Sequence, residues 1–242
     1  MKAAFTQLIE RVSPQAALRR AITLCDENKF GDALPRLRRA ADAGLPDAKY
    51  RIGLLYTQGS GVPPSVTEAA RWLERAADEG HIDAQTTLAA LFVNGLVDAD
   101  QLSEAAFSAD RLFSENKPGQ PNFASALKWA LRAAEAGSAK AQALAGYILT
   151  CGPEEMRDVE AARNWYRRSA AAGCPEGSLG YALSLAPRSD DDEGKREVIK
   201  HLRHAAEAEL PSAIYLLAVL TEQGVGYRLR AQDVDPTIPI GE

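Results

Sequence analysis

A phrase of eight residues, apolar side chains alternating with charges before a closing glycine, returns along this chain at regular distances. It reads LRRAADAG up to Gly44, LERAADEG up to Gly80, ALRAAEAG up to Gly137 and YRRSAAAG up to Gly173. A fifth copy, LRHAAEAE, ends at Glu209 where glycine is expected. The intervals are 36, 57, 36 and 36 residues, so one repeat holds an insertion of 21 residues. Such spacing is the mark of a repeat architecture, in which each unit buries its apolar face only by stacking on the next.

Other positions keep the same phase. Eight residues before the closing glycine stand Trp72, Trp129 and Trp165, with Arg36 and His201 in the outer copies. Four residues after it stand Ala48, Ala84, Ala141, Gly177 and Ala213, and nine after it Gly53, Ala89, Gly146, Ala182 and Ala218. Each repeat therefore reads as a first helix lined with small residues, a turn, a second helix bearing Trp, and a terminal glycine. Small residues let helix backbones approach closely, Trp fills the space between repeats, and glycine supplies the left-handed conformation that ends a helix. Pro46 and Pro175, just past a glycine, suit the first turn of the following helix. The pattern predicts a leading helix near 2–11, then pairs near 14–27 and 31–43, 46–57 and 66–79, and 82–93 and 122–136. Further pairs are predicted near 139–150 and 156–172 and near 175–186 and 193–208, with a last first-type helix near 211–223.

The segment DAKYRIGLLYTQGSGVPPSVTEAARWLERAADEG at 47–80 resembles a near-complete Sel1-like repeat, of the tetratricopeptide superfamily. The resemblance rests on Ala48, Gly53, Tyr56, Gly59, Gly61, Val62, Ala69, Trp72, Ala76, Ala77 and Gly80, and it recurs in phase over about 45–227. Residues 1–44 divide into the leading helix and a pair closer to a tetratricopeptide unit, with the turn Asn28-Lys29-Phe30. The fourth repeat departs most, with Gly177 and Ser178 where Ala and a polar residue are usual. The resemblance implies an all-α, right-handed superhelical solenoid of antiparallel helix pairs, a concave groove lined by the first helices, and a role in protein interaction or assembly. It does not imply catalysis within the repeats.

Two stretches break the rhythm. Residues 97–121 fall between the two helices of one repeat, either as a small amphipathic helix over the groove or as an extra helix packed on its own repeat. Residues 228–242 follow a first helix that has no second one, so they are an extended tail covering the exposed face or the start of a missing region. In the latter case the repeats would be the docking part of a longer enzyme.

A formal charge of −5 and a pI near 5.4 argue against general affinity for nucleic acid or anionic membranes. The start MKAAFTQLIERV lacks the apolar core of a signal peptide, and no stretch approaches a membrane span, so a soluble cytoplasmic protein without direct membrane insertion is expected. Cys25, Cys151 and Cys174 are an odd number at wide spacing and form no zinc pattern.

Candidate chemistry is thin. His201 and His204 stand at i, i+3 on a helix but without a further metal ligand in register, and His81 begins a repeat with no nucleophile beside it. Asp190-Asp191-Asp192-Glu193 lacks the glycine and distal glutamate of a calcium loop and suits a helix start instead. Gly59-Ser60-Gly61 and Gly224-Val225-Gly226 follow helices and lack the Lys of a phosphate loop, so they read as turns. No metal, cofactor or catalytic residue is expected.

The groove is the positive candidate. As the resemblance places it, its lining falls at the third, sixth, tenth, thirteenth and fourteenth positions after each glycine. These are Asp47, Tyr50, Leu54, Thr57 and Gln58, then Asp83, Thr86, Ala90, Val93 and Asn94. Next come Lys140, Ala143, Tyr147, Thr150 and Cys151, then Glu176, Leu179 and Leu183, and finally Ser212, Tyr215, Val219, Glu222 and Gln223. Polar groups, tyrosines and aliphatics together suit a peptide or protein partner.

Overall fold

A computed structural model describes residues 13–97, 119–188 and 191–222. The leading helix, most of the insertion and the tail expected from the sequence lie outside the described residues. Eleven α-helices occur among those described: α1 (Pro14–Asp26), α2 (Phe30–Asp42), α3 (Pro46–Gln58), α4 (Val66–Asp78), α5 (Ile82–Val93), α6 (Phe123–Glu135), α7 (Ala139–Cys151), α8 (Val159–Ala171), α9 (Pro175–Leu185), α10 (Asp192–Glu207) and α11 (Pro211–Glu222). Short 3₁₀ turns at Glu154–Met156 and Ala186–Arg188 precede α8 and follow α9.

The repeat turns are built identically. Gly44, Gly80, Gly137 and Gly173 have φ between 77° and 96°. In each, the next residue donates its N–H back across the turn: Leu45 to the Ala40 carbonyl, His81 to Ala76, Ser138 to Ala133 and Cys174 to Ser169, at 3.0–3.1 Å. This is the Schellman closure, which satisfies carbonyls that a helix end leaves unpaired. Glu209 adopts the same conformation without being glycine, at φ 59°, and Leu210 makes the equivalent bond to Ala205. Asn28, at φ 58°, does so in the first turn, where Lys29 bonds Leu24.

Helix starts are capped by side chains. Ser13, Ser65, Asn122, Asp158 and Asp191 accept the N–H three residues on, at 2.9–3.3 Å. Asp191 thereby accounts for part of the acidic run, and Asp190 lies outside the described residues.

A second bond repeats within each pair. The backbone N–H of Ser65 donates to the Tyr56 carbonyl, Asn122 to Phe92 and Asp158 to Leu149, at 2.9–3.0 Å. Each donor is the N-cap of a second helix and each acceptor sits twelve residues after a repeat glycine. The 21 extra residues therefore leave the packing of α5 on α6 unchanged. Gly119 closes the base of the insertion by donating to the Gly95 carbonyl at 2.6 Å.

The chain divides into two units, residues 1–144 and 145–242, at a point inside α7 that no change of composition marks. In the first unit α1 packs on α2, α2 on α3, α3 on α4, α4 on α5 and α5 on α6. In the second, α8 packs on α9, α9 on α10 and α10 on α11. Sequential helix-on-helix packing of this kind is the all-α solenoid architecture expected from the repeat.

The small positions are where helices meet. Ala48, Ala84, Ala141 and Ala213 are fully buried. A Cβ on Gly53 would lie 2.8 Å from Leu73 Cγ. The fourth repeat departs from the pattern for a steric reason: Ser169 replaces the alanine of other copies, and a Cβ on Gly177 would lie 2.1 Å from its Oγ. Likewise Tyr166 stands where Leu37 and Leu73 occur, and it fits because Gly146 and Gly180 open space against its ring. Ala218 departs the other way: it is exposed, since no described helix follows α11.

The tryptophans fill space less completely than their phase suggests. Trp129 is buried, whereas Trp72 and Trp165 are only half-buried. An arginine one turn on covers each ring, Arg75, Arg132 and Arg168 lying 4.5–5.0 Å from the indole centroids. A guanidinium over the ring face keeps its charge in water and shields the indole.

Candidate partner-binding surface

The lining positions expected from the sequence behave differently in the two units. In the first they are mainly engaged by neighbours. Tyr50 stacks on the His81 ring, with centroids 4.5 Å apart and planes at 26°, and its hydroxyl is hydrogen-bonded with Thr87. Burial pushes its ionisation above the ordinary tyrosine range. Asp47 lies 3.4 Å from Arg51 and 3.7 Å from His81. His81 itself caps α5 by accepting the Ala84 N–H at 3.2 Å, so it is structural.

Three other polar positions of this unit bond to their own helices. Thr57 donates to the Gly53 carbonyl at 2.9 Å, Thr86 to Ile82 at 3.0 Å and Asn94 to Ala90 at 2.8 Å. Thr86 also meets Ser138 at 3.2 Å. Gln58, Asp83 and Lys140 are exposed.

In the second unit the same phase is apolar and open to solvent. Tyr147 on α7 is 44% exposed, Leu183 on α9 50% and Tyr215 on α11 68%. Leu179 and Val219 lie half-buried in the same register. Glu176 is exposed and accepts the Cys174 thiol at 3.1 Å, while Thr150 donates to the Gly146 carbonyl at 2.8 Å. Exposed side chains of this size at the lining positions of successive first helices are the usual composition of a contact surface.

The histidines of α10 have partners: Glu197 stands one turn before His201 on the same helix, where no acidic group in register was expected, and tertiary packing supplies the others. His201 Nε2 lies 3.1 Å from Glu197 Oε1 and its ring meets Tyr181 edge-on at 4.9 Å. His204 Nδ1 lies 3.0 Å from Ser178 Oγ, a contact that looks catalytic on paper. Ser178 is only 1% exposed, however, so its hydroxyl cannot meet a substrate. Among the described residues no group of three or more His, Cys, Asp or Glu is placed to hold a metal, and no helix is long and apolar enough to cross a membrane. Burial raises the Cys174 thiol above its usual range, the reverse of nucleophile activation.

Sequence inspection missed one recurring contact. Gln85 and Gln142, five residues after their repeat glycines, are buried and donate Nε2 to the Ala77 and Ala134 carbonyls at 2.9 and 3.1 Å. The signal was present, because glutamine recurs at one phase in a sequence of small and apolar neighbours. In the next copy Ser178 is too short to reach back and turns to His204 instead.

Identical turns, close-packed small positions and an exposed strip on the first helices define a helical-repeat protein of the solenoid type. Within that class the chain carries repeats of the Sel1-like family, the Sel1 repeat matching residues 46–81, 116–138 and 139–174. Proteins of this family are generally protein-interaction scaffolds. The unmatched α5 and the residues after Cys174 nonetheless keep the same turn bonds. Among solved structures, a Sel1 repeat protein from Oxalobacter formigenes shares the fold, with a TM-score of 0.69 at 24% identity over 91% of this chain and 83% of that one. A protective antigen present in uropathogenic Escherichia coli strains, displaying an SLR fold, gives a TM-score of 0.47 at 25% identity over 91% of this chain. The match spans about half of that protein, 51%. Comparison with curated protein sequences gives no match.

Proposed function

We propose that this chain is a non-catalytic interaction module that holds a peptide or protein partner against the exposed face of its first helices. The observation that carries this is the set formed by Tyr147, Leu183 and Tyr215, large side chains left open at lining positions of three successive first helices, where most of the apolar groups of the stack are buried. Such residues lose little freedom on contact and bury much area, which is how most interface energy is gained. The family's general scaffold role supports the same reading.

Affinity capture from lysate tests it, comparing the native chain with a Tyr147→Ala, Tyr215→Ala variant of equal helicity. Partners retained by the native chain and lost by the variant are expected. Equal capture by both would place binding elsewhere on the protein.

A further inference from the structure

Within the second unit, charge is sorted by helix type. The segments of first helices, residues 145–151, 175–185 and 211–222, contain no Lys or Arg. Their charged groups are Glu176 and Glu222, and the turn after α7 adds Glu154 and Glu155, all exposed. Among the described residues the bases of this unit lie on the second helices or in the turns. Several are occupied locally: Arg163 and Arg188 pair with Glu160 at 2.9 and 2.7 Å, and Arg157 donates to the Gly152 carbonyl at 2.8 Å. The charged groups on the helix segments that carry the apolar strip in this unit are therefore carboxylates, Lys140 of α7 falling in the first unit.

From this charge pattern we propose, resting on the interaction reading above, that the occupant of this face is a peptide segment with apolar or aromatic anchors flanked by Lys or Arg. The anchors cover Tyr147, Leu183 and Tyr215, and the flanking cations meet the rim carboxylates. A second copy of this chain is disfavoured as occupant, because two acidic rims would face each other in an overall acidic protein with a net charge of −5. Nucleic acid is disfavoured for the same reason.

The test is selection from a random-sequence peptide library displayed on phage, panned on the intact chain, followed by affinity measurement with the selected peptides. The expected result is peptides with apolar cores and basic flanks. Their binding should weaken about ten-fold or more on Tyr215→Ser or Leu183→Ser, and should weaken with rising salt. A Glu154→Gln, Glu155→Gln variant should lower affinity for basic peptides and leave apolar ones unaffected. Neutral or acidic selected peptides that still depend on Tyr215 and Leu183 would overturn the charge assignment and leave the interaction face standing. Peptides insensitive to both substitutions, or no selected peptides, would overturn both. Sedimentation showing a dimer that Tyr215→Ser dissociates would give the face to a second copy and overturn the peptide proposal.

Discussion

Glu209 is the residue whose backbone conflicts most plainly with its side chain. It holds the left-handed conformation that glycine holds at the other four repeat turns. Glu209→Gly is expected to stabilise the chain by about 0.5–1 kcal/mol, the steric cost removed less the entropy glycine adds to the unfolded state. Gly80→Ala should act oppositely by on the order of 1 kcal/mol, through φ alone, because nothing lies within 4 Å of its Cβ position. Thermal or urea unfolding of both variants measures the pair.

The exchange between Ser169 and Gly177 belongs to the same scale. Gly177→Ala alone should cost roughly 1–3 kcal/mol by overpacking. Ser169→Ala loses a hydrogen bond with the Cys174 thiol. The double variant restores the alanine pair of the other repeats, so its loss should be smaller than the two single losses added, by roughly 0.5 kcal/mol or more. Additive losses in a double-mutant cycle would mean that the contact is not the reason for the exchange.

At the level of elements, helix meets helix through small residues, a few large fillers and repeated polar ties. Tyr166 on α8 is the largest filler of its unit, held between Gly146 and Gly180. Burial pushes its hydroxyl from 10.0 up to about 12. The folded chain thus holds this proton more tightly than the unfolded chain does. The associated stability is complete below pH 10.0 and is lost as pH rises toward about 12, on the order of 2 kcal/mol in all. Urea unfolding at stepped alkaline pH should show this slope, and Tyr166→Phe should flatten it, with a residue of slope left from Tyr50. The tie from Gln85 to the Ala77 carbonyl fastens α5 to the end of α4. Gln85→Ala should cost about 1–2 kcal/mol, since it leaves a cavity and removes one of the donors to the Ala77 carbonyl, which keeps the Gly80 N–H.

For the molecule as a whole, stability and recognition rest on different residues. The exposed tyrosines of the first helices make little packing contribution, so Tyr147→Ser and Tyr215→Ser should shift unfolding by less than about 0.5 kcal/mol while abolishing capture. Tyr50→Ala should do the reverse for stability, since it removes the stack on His81 and the hydrogen bond with Thr87. This contrast separates a surface kept open for a partner from one closed by its own neighbours, although the repeat assigns both to the same face of the first helices.

The sequence by itself determined the helices, their order and their turns, because glycine, capping residues and small positions act locally and recur every 36 residues. Each described helix begins and ends within three residues of its predicted bounds, the largest difference being the start of α8, where a 3₁₀ turn precedes the helix. The local code also placed Asp191 at a helix start. Which groove positions stay open was decided only by tertiary structure. Position in the repeat assigns Tyr50, Tyr147 and Tyr215 to the same face, but exposure depends on what the next helix presents. His81 and Thr87 close over Tyr50, whereas Tyr147 and Tyr215 keep much of their rings in solvent. The pairs Ser169 with Gly177 and Ser178 with His204 were equally illegible, since each joins side chains whose distance is set by helix packing and not by spacing along the chain.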